Sequence, residues 1–257
     1  MILSRRVALG GVQLDELHER IVVKEIDPGT PQENINAVNR MGGAGQRMTS
    51  QHWTTLDANV IFGIDVPKWN LEERREIFNL VKSWALRKGW LTTNQMVDRR
   101  MYADKVLIPN GGDMWNWTSD YTLTFRAYNV PFWQDSAPAQ SRNSLITEGD
   151  LSLEIPGDEQ TVLDATFENK SGQTINKLTI STGKYTLKWT NLGLGGTDTL
   201  KIHHGTDGLL RAVIGNVSVL AKRTGSDDLY ADPGSVTVHI EAERAGDLTV
   251  SAYGRYL

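Results

Sequence analysis

Tyr121-Thr-Leu-Thr-Phe-Arg-Ala-Tyr-Asn-Val-Pro-Phe-Trp133 is the stretch on which the fold turns. Leu123, Phe125 and Ala127 fall on one side of an extended chain, and Thr122, Thr124, Arg126 and Tyr128 on the other. That period of two is the pattern of a half-buried strand. Pro131 removes a backbone donor, so the strand finishes in the aromatic pair Phe132-Trp133. Directly afterwards the composition changes to Asp135-Ser-Ala-Pro-Ala-Gln-Ser-Arg-Asn-Ser144, a polar run with a linker's character. The chain therefore reads as two domains, residues 1–134 and 148–257, joined by a linker at 135–147.

Upstream, Gly10-Gly11 between Val7 and Leu14 suggests a short hairpin, and Ile21–Ile26 a strand. Leu56, Ala58, Val60, Phe62 and Ile64 alternate with Thr55, Asp57, Asn59 and Ile61, which predicts another strand. A helix follows from Asn70, where Asn70 and Glu73 have the spacing of a capping box. Glu72, Glu73 and Glu76 suit the positive end of its dipole, and Lys82, Arg87 and Lys88 the negative end. Gly89 offers a left-handed stop. Leu71, Ile77, Phe78, Val81, Trp84 and Ala85 form its apolar stripe, so the helix packs on a sheet. Further strands are expected at Trp90–Thr93, at Lys105–Ile108 and around Met114–Trp117, the last two joined by a turn at Pro109–Gly112.

Asp27–Gln51 is harder to place. It is broken by Pro28, Gly29, Pro31, Gly42 and Gly43, and irregular loops of that length are uncommon in a compact domain. Ile35, Val38, Met41 and Met48 argue against a purely solvated coil. A protruding hairpin closed at Gly42-Gly43 accounts for them, and these four residues are the candidate contact between copies of the chain. After residue 148 only strands are expected, for example Leu151/Leu153/Ile155, Leu163/Ala165/Phe167, Tyr185/Leu187/Trp189 and Val236/Val238/Ile240. Turn signals recur between them, which is the pattern of a β-sandwich or barrel. A last strand is expected from Leu248 to the final residue, Leu257.

Composition narrows the function. A net charge of −4 gives no general attraction to nucleic acid or anionic lipid. The absence of cysteine removes disulfides, thiolate metal sites and a thiol nucleophile. No run is long enough for a membrane span or a signal peptide. His203 and His204 are neighbours on a strand, so they point to opposite faces and do not share a metal. Glu241 and Glu243 share a face that reads as solvated. The Arg-Arg pairs at 5–6, 74–75 and 99–100 read as solvated or ion-paired. Trp189 is in phase with Tyr185 and Leu187, which favours core packing over a sugar platform. No catalytic motif, cofactor fingerprint or metal-ligand spacing is present, so no enzyme activity and no cofactor are expected.

Several segments, in order, resemble the distal tail proteins of long-tailed phages. They are Leu14–Val23, Val60–Ile64 leading into Glu73–Phe78, Trp84-Ala, Gly89–Leu91, Leu123–Phe125 with Pro131–Trp133, Arg211–Ser218, and Val250–Leu257. The resemblance covers nearly the whole chain. It implies a mainly β fold with one packed α-helix: an N-terminal belt domain at 1–134 and a C-terminal galectin-like β-sandwich at 148–257. It also implies a structural virion component, with six belt domains forming a hexameric ring at the tail tip. That ring joins the tail tube protein above to the tail hub and baseplate below, with receptor-binding or fibre proteins as further contacts. Location in the virion tail tip and assembly in the host cytoplasm follow from the same resemblance. The alternative is a carbohydrate-binding module of a tail adhesion device.

Overall fold

The computed structural model describes residues 5–39, 46–67, 69–109 and 120–257. The chain divides into two units, Met1–Trp133 and Gln134–Leu257. The strands of the first are β1 (Val7–Leu9), β2 (Val12–Gln13), β3 (Ile21–Asp27), β4 (Pro31–Asn39), β5 (Gln46–Ile64), β6 (Gly89–Thr93), β7 (Arg99–Ala103), β8 (Lys105–Leu107) and β9 (Asp120–Ala127). The helix among its described residues is α1 (Leu71–Ala85), and β10 (Trp133–Asp135) lies at the division.

The two alternating segments pair with each other. Leu56↔Ala127, Ala58↔Phe125, Val60↔Leu123 and Phe62↔Tyr121 face across β5 and β9, with both apolar sides on one face of the sheet. The sheet runs β3-β5-β9-β8, and β4 pairs with the outlying half of β5. The helix covers the apolar face. Phe78 packs on Phe62 and Tyr121 at ring-centroid distances of 6.5 and 5.1 Å, and Trp84 meets Phe125 edge-on at 5.9 Å. The Trp84 indole also donates to the Val12 carbonyl at 2.9 Å, which ties the helix to the second small sheet, β2-β1-β6-β7.

Local chemistry sets the helix ends, with two departures from expectation. Asn70 is the N-cap and accepts from the Glu73 amide at 3.4 Å. The Glu73 carboxylate takes the Asn70 side-chain amide at 2.6 Å instead of its backbone N–H, because that N–H already donates to Pro67. At the other end Gly89 is not a left-handed stop. Leu86 closes the helix in right-handed conformation, donating to the Lys82 carbonyl, and Gly89 opens β6. The glycine instead lets β6 approach Gly10, whose Cα would lie 3.4 Å from an added Cβ.

The quoted strand also stops earlier than its sequence suggests. It ends at Ala127, where the Asp104 carboxylate accepts the Tyr128 and Asn129 amides at 2.8 and 3.2 Å and turns the chain. Trp133 begins the separate β10, with its indole donating to Pro28 at 3.0 Å. The strand expected around Met114–Trp117 lies outside the described residues, and β8 pairs directly with β9.

The second unit is all β apart from a single 3-10 turn. Its strands are β11 (Ala139–Ile155), β12 (Thr161–Asn169), β13 (Leu178–Thr182), β14 (Tyr185–Trp189), β15 (Thr199–His204), β16 (Leu210–Ile214), β17 (Val217–Ser218), β18 (Arg223–Gly225), β19 (Tyr230–Ala231), β20 (Gly234–Ala252) and β21 (Arg255–Tyr256). One long antiparallel pair organises it. β11 and β20 run together from Ala139↔Ala252 to Ile155↔Gly234, with register shifts on either side of Ile146. The other edge of β20 is divided. Gly246–Ala252 pairs with β12, and His239–Ala242 pairs with β13. Two half-sheets thus spring from one pair, β12-β15-β16-β17 and β13-β14-β18. Val238 and Ile240 from one half and Leu248, Val250 and Ala252 from the other join a single buried cluster. That is a sandwich built by folding a sheet on itself. Gly246 sits at the fold line, where a Cβ would stand 2.4 Å from the Phe167 ring and 2.6 Å from the Glu168 carbonyl.

The polar run expected as a linker is part of this pair. Ala139–Asn143 forms a ladder with Leu248–Ala252. Its outward residues are polar, and the inward ones are only Ala139 and Ser141, so composition conceals the strand. The final strand is interrupted at Tyr253-Gly254, where a Cβ on Gly254 would meet Asp135 Oδ2 and the Pro156 carbonyl, both at 2.5 Å.

Trp84 is 2% exposed and holds both α1 and the Val12 carbonyl. Trp84→Ala is expected to destabilise the first unit by about 3–5 kcal/mol. Denaturant unfolding checks this. A change below about 0.5 kcal/mol would contradict the packing described.

Candidate assembly surface

The first unit is unusual in how much strand it leaves outside its core. β9 pairs with β5 only from Leu56 to Gly63. Before Leu56, β5 continues against β4 alone as a two-stranded arm. Its sequence explains why. Gln32-Glu-Asn-Ile-Asn-Ala37 has no apolar face to bury, and all six residues are exposed. The arm is rooted by Trp53 edge-on to Phe132 at 6.2 Å and by Thr54 Oγ1 donating to the Gln32 carbonyl at 3.0 Å. Gly29 makes the approach possible: its φ is +67°, and a Cβ there would fall 1.9 Å from the Asp57 carbonyl oxygen.

Asp27–Gln51 is thus largely a hairpin. Of the four candidate contact residues, Ile35 is 51% exposed on β4. Val38 pairs with Arg47, and Met48 with Ala37, within the ladder. The side chains of Val38 and Met48, and the whole of Met41 with the Gly42-Gly43 turn, lie outside the described residues.

At the other end of β5 is a groove of about 550 Å³ that sequence patterning does not reveal. Arg20, Val22, Lys24, Gly63, Asp65, Trp69 and Arg74 are among its lining residues. Trp69 is 86% exposed, ahead of the helix cap. Arg20 Nη1 donates to the Asp65 carbonyl at 3.3 Å, and Lys24 pairs with the Asp120 carboxylate. Arg74, expected at the surface, is buried on the inner side of the helix. In the third Arg-Arg pair, Arg100 stacks on the Trp90 ring at 4.1 Å.

In the second unit the residues weighed for chemistry have structural partners. Trp189 is fully buried, and its indole donates to the Val219 carbonyl at 3.2 Å, so it offers no platform to a sugar. His204 lies at the end of β15 between two carboxylates. Its Nδ1 is 2.8 Å from Asp164 and its Nε2 is 2.8 Å from Asp228. Ionised carboxylates only accept, so both ring nitrogens donate and the ring is a cation. Burial alone would lower its pKa, but the hydrogen bonds to Asp164 and Asp228 raise it to about 9. Glu243 accepts the amides of Asn176 and Lys177 at 2.8 and 3.3 Å, which anchors a loop. Ligand-type atoms of Glu148, His239 and Glu241 lie within 4.8 Å of one another on the outer face of β11 and β20. His239 Nδ1 is also 2.7 Å from Asp150, whose hydrogen bond is the main cause of the ring's raised pKa. The group is a histidine paired with surface acids, its second ring nitrogen lying 3.6 Å from Glu241.

No family model matches the chain, and no curated protein does. Among solved structures it is similar to the SPP1 Dit (gp 19.1) protein, described as a paradigm of the hub adsorption apparatus in phages infecting Gram-positive hosts. The TM-score is 0.68 at 13% identity, over 98% of this chain and 99% of that one. Chains of the phage p2 baseplate in its activated conformation, with strontium and with calcium, align at TM-scores of 0.48 with 10% and 9% identity. The likeness to SPP1 Dit is one of fold along both chains.

The His204 clamp makes stability fall at alkaline pH. Because the folded pKa is raised from 6.5 to about 9, its contribution is complete below pH 6.5 and is lost as pH rises through about 9. That corresponds to about 3 kcal/mol, measurable by unfolding at pH 6 and pH 10. His204→Gln should remove most of this dependence. Trp189→Ala should in turn cost the second unit about 3–5 kcal/mol without revealing any glycan binding on an array.

Proposed function

We propose that this chain is a distal tail protein of a long-tailed phage, a structural and non-catalytic part of the virion. In this reading residues 1–134 form a belt domain that closes with five other copies into a ring at the tail tip. The ring joins the tail tube to the hub below it, and the galectin-like unit from 148 to 257 serves as its peripheral module.

The observation that carries this reading is the shared fold with SPP1 Dit along essentially all of both chains. The arm gives it a physical basis. A ring needs two different, complementary surfaces on each copy, and a strand pair outside the core supplies one of them. Burying the 51% of Ile35 that is exposed would gain about 1 kcal/mol, which a monomer forfeits. The carbohydrate-binding alternative loses support because the aromatic it would use, Trp189, is in the core.

The test is assembly state. Full-length protein at high concentration should form a closed multimer by light scattering. Deletion of residues 32–50 should give a folded monomer, since the β5–β9 pairing from Leu56 onward is retained. A full-length protein that stays monomeric at high concentration and is missing from purified virions would overturn the proposal.

A further inference from the structure

We propose that Glu148, His239 and Glu241 of the second unit bind a divalent transition-metal ion such as zinc across the β11–β20 pair. The site is independent of how copies of the chain assemble.

Strand register brings the donors together. Glu148 lies directly opposite Glu241, and Asp150 directly opposite His239. Opposed residues of an antiparallel pair project to the same side, with Cβ atoms about 4.5–5.5 Å apart. Leu151, Leu153, Val238 and Ile240 point into the core, so these four residues share the outer face. One ligand atom from each of Glu148, His239 and Glu241 lies within 4.8 Å of the other two. An imidazole with two carboxylates is a mixed nitrogen and oxygen donor set, which suits zinc better than calcium or magnesium.

The ring is aimed as a ligand would be. Its Nδ1 is 2.7 Å from Asp150, so that carboxylate takes the Nδ1 proton and leaves Nε2 facing Glu241. A carboxylate behind the ring is the support that fixes the tautomer of metal-binding histidines. Nε2 stands 3.6 Å from Glu241 Oε1, wider than a hydrogen bond. With bonds of about 2.0–2.2 Å to zinc, two ligand atoms on a tetrahedral ion stand about 3.4 Å apart. The observed spacing is close to that.

Charge is the independent argument. Two glutamates set directly opposite each other repel. Among the described residues no lysine or arginine forms an ion pair with Glu148, Asp150 or Glu241; their one charged partner is His239. On the far edge of β20, Thr179 faces Glu241 and Ser181 faces His239, and neither carries charge. Lys188 faces Thr179 from β14, two strands from Glu241 and so roughly 10 Å away. Three carboxylates therefore surround a single imidazole, an excess of negative charge that a divalent cation cancels. Glu148 also follows directly on a register shift of β11, so the ion would clip the two strands together where the pair bends.

Full-length protein stripped with a chelator and dialysed should take up a single Zn2+ per chain by isothermal titration calorimetry. Zn2+ should also raise the temperature at which the second unit unfolds, whereas Ca2+ at the same concentration should not. Glu148→Gln and His239→Gln should each weaken Zn2+ binding at least tenfold, and Asp150→Ala, which frees the ring, by about tenfold. His52→Gln, at an exposed histidine on the arm, should leave binding unchanged. Glu148 is exposed, so its variant keeps the fold and the comparison stands even if a histidine variant does not. A chain that binds no Zn2+ at millimolar concentration, or one whose binding is undiminished in Glu148→Gln and His239→Gln, overturns the site.

Discussion

The first unit is governed by a mismatch between one strand and the core available to cover it. β5 is 19 residues long, but β9 and its buried apolar side run only from about Leu56 to Ile64. Over that portion the hydrophobic effect fixes everything: β9 on one edge, β3 on the other, and α1 across the apolar face. Before Leu56 the strand has only β4 beside it, whose residues Gln32–Ala37 are all exposed, and the ladder holds the arm above its root at Trp53 and Phe132. The same strand therefore ends in an exposed hairpin at one end and in the rigid wall of a groove at the other. In the proposed reading, the surface that meets a second copy arises from where burial stops.

The second unit solves the opposite problem, enclosing a core with a sheet that must turn back on itself. The bent β11–β20 pair does this, because the register shifts around Ile146 and the absence of a side chain at Gly246 let one pair serve both halves. The Asp164–His204–Asp228 clamp then ties β12, the end of β15 and the segment before β19 with a buried charge that is compensated on both sides. Removing either carboxylate would leave a buried cation with one partner, which is far more damaging than losing a surface ion pair. Both features serve the fold: the clamp's charges satisfy one another, and Phe167 and Trp189 lie in the core between the two halves.

What the sequence revealed was what short-range physics controls. The alternation of Leu56–Ile64 and Leu123–Ala127, the Asn70 cap and the apolar stripe through Trp84 are each written within a few residues, and each is found in the structure. The mainly β fold with one packed helix, and the ordered resemblance along the chain, were legible for the same reason. The arm was legible only as one of two readings, because a strand wet on both sides has no period to detect. The start of β11 was masked by its polar outer residues. Trp69 gave no sign, since a tryptophan before a helix cap reads as core until the fold shows it outside. The His204 clamp is assembled from residues separated by 40 and 24 positions, a spacing no local pattern records.

The proposed function makes one claim that can be measured: copies of this chain meet through the first unit. Hydrogen exchange on the full-length protein, compared between dilute and assembled samples, tests it most directly, because the arm's amides are held by only a two-stranded ladder and should exchange fast in the free chain. The account predicts slowed exchange on assembly in peptides covering Pro31–Asn39, with the second unit unchanged. Protection confined to residues 148–257, with the arm exchanging as fast in the assembled protein as in the dilute one, would contradict it.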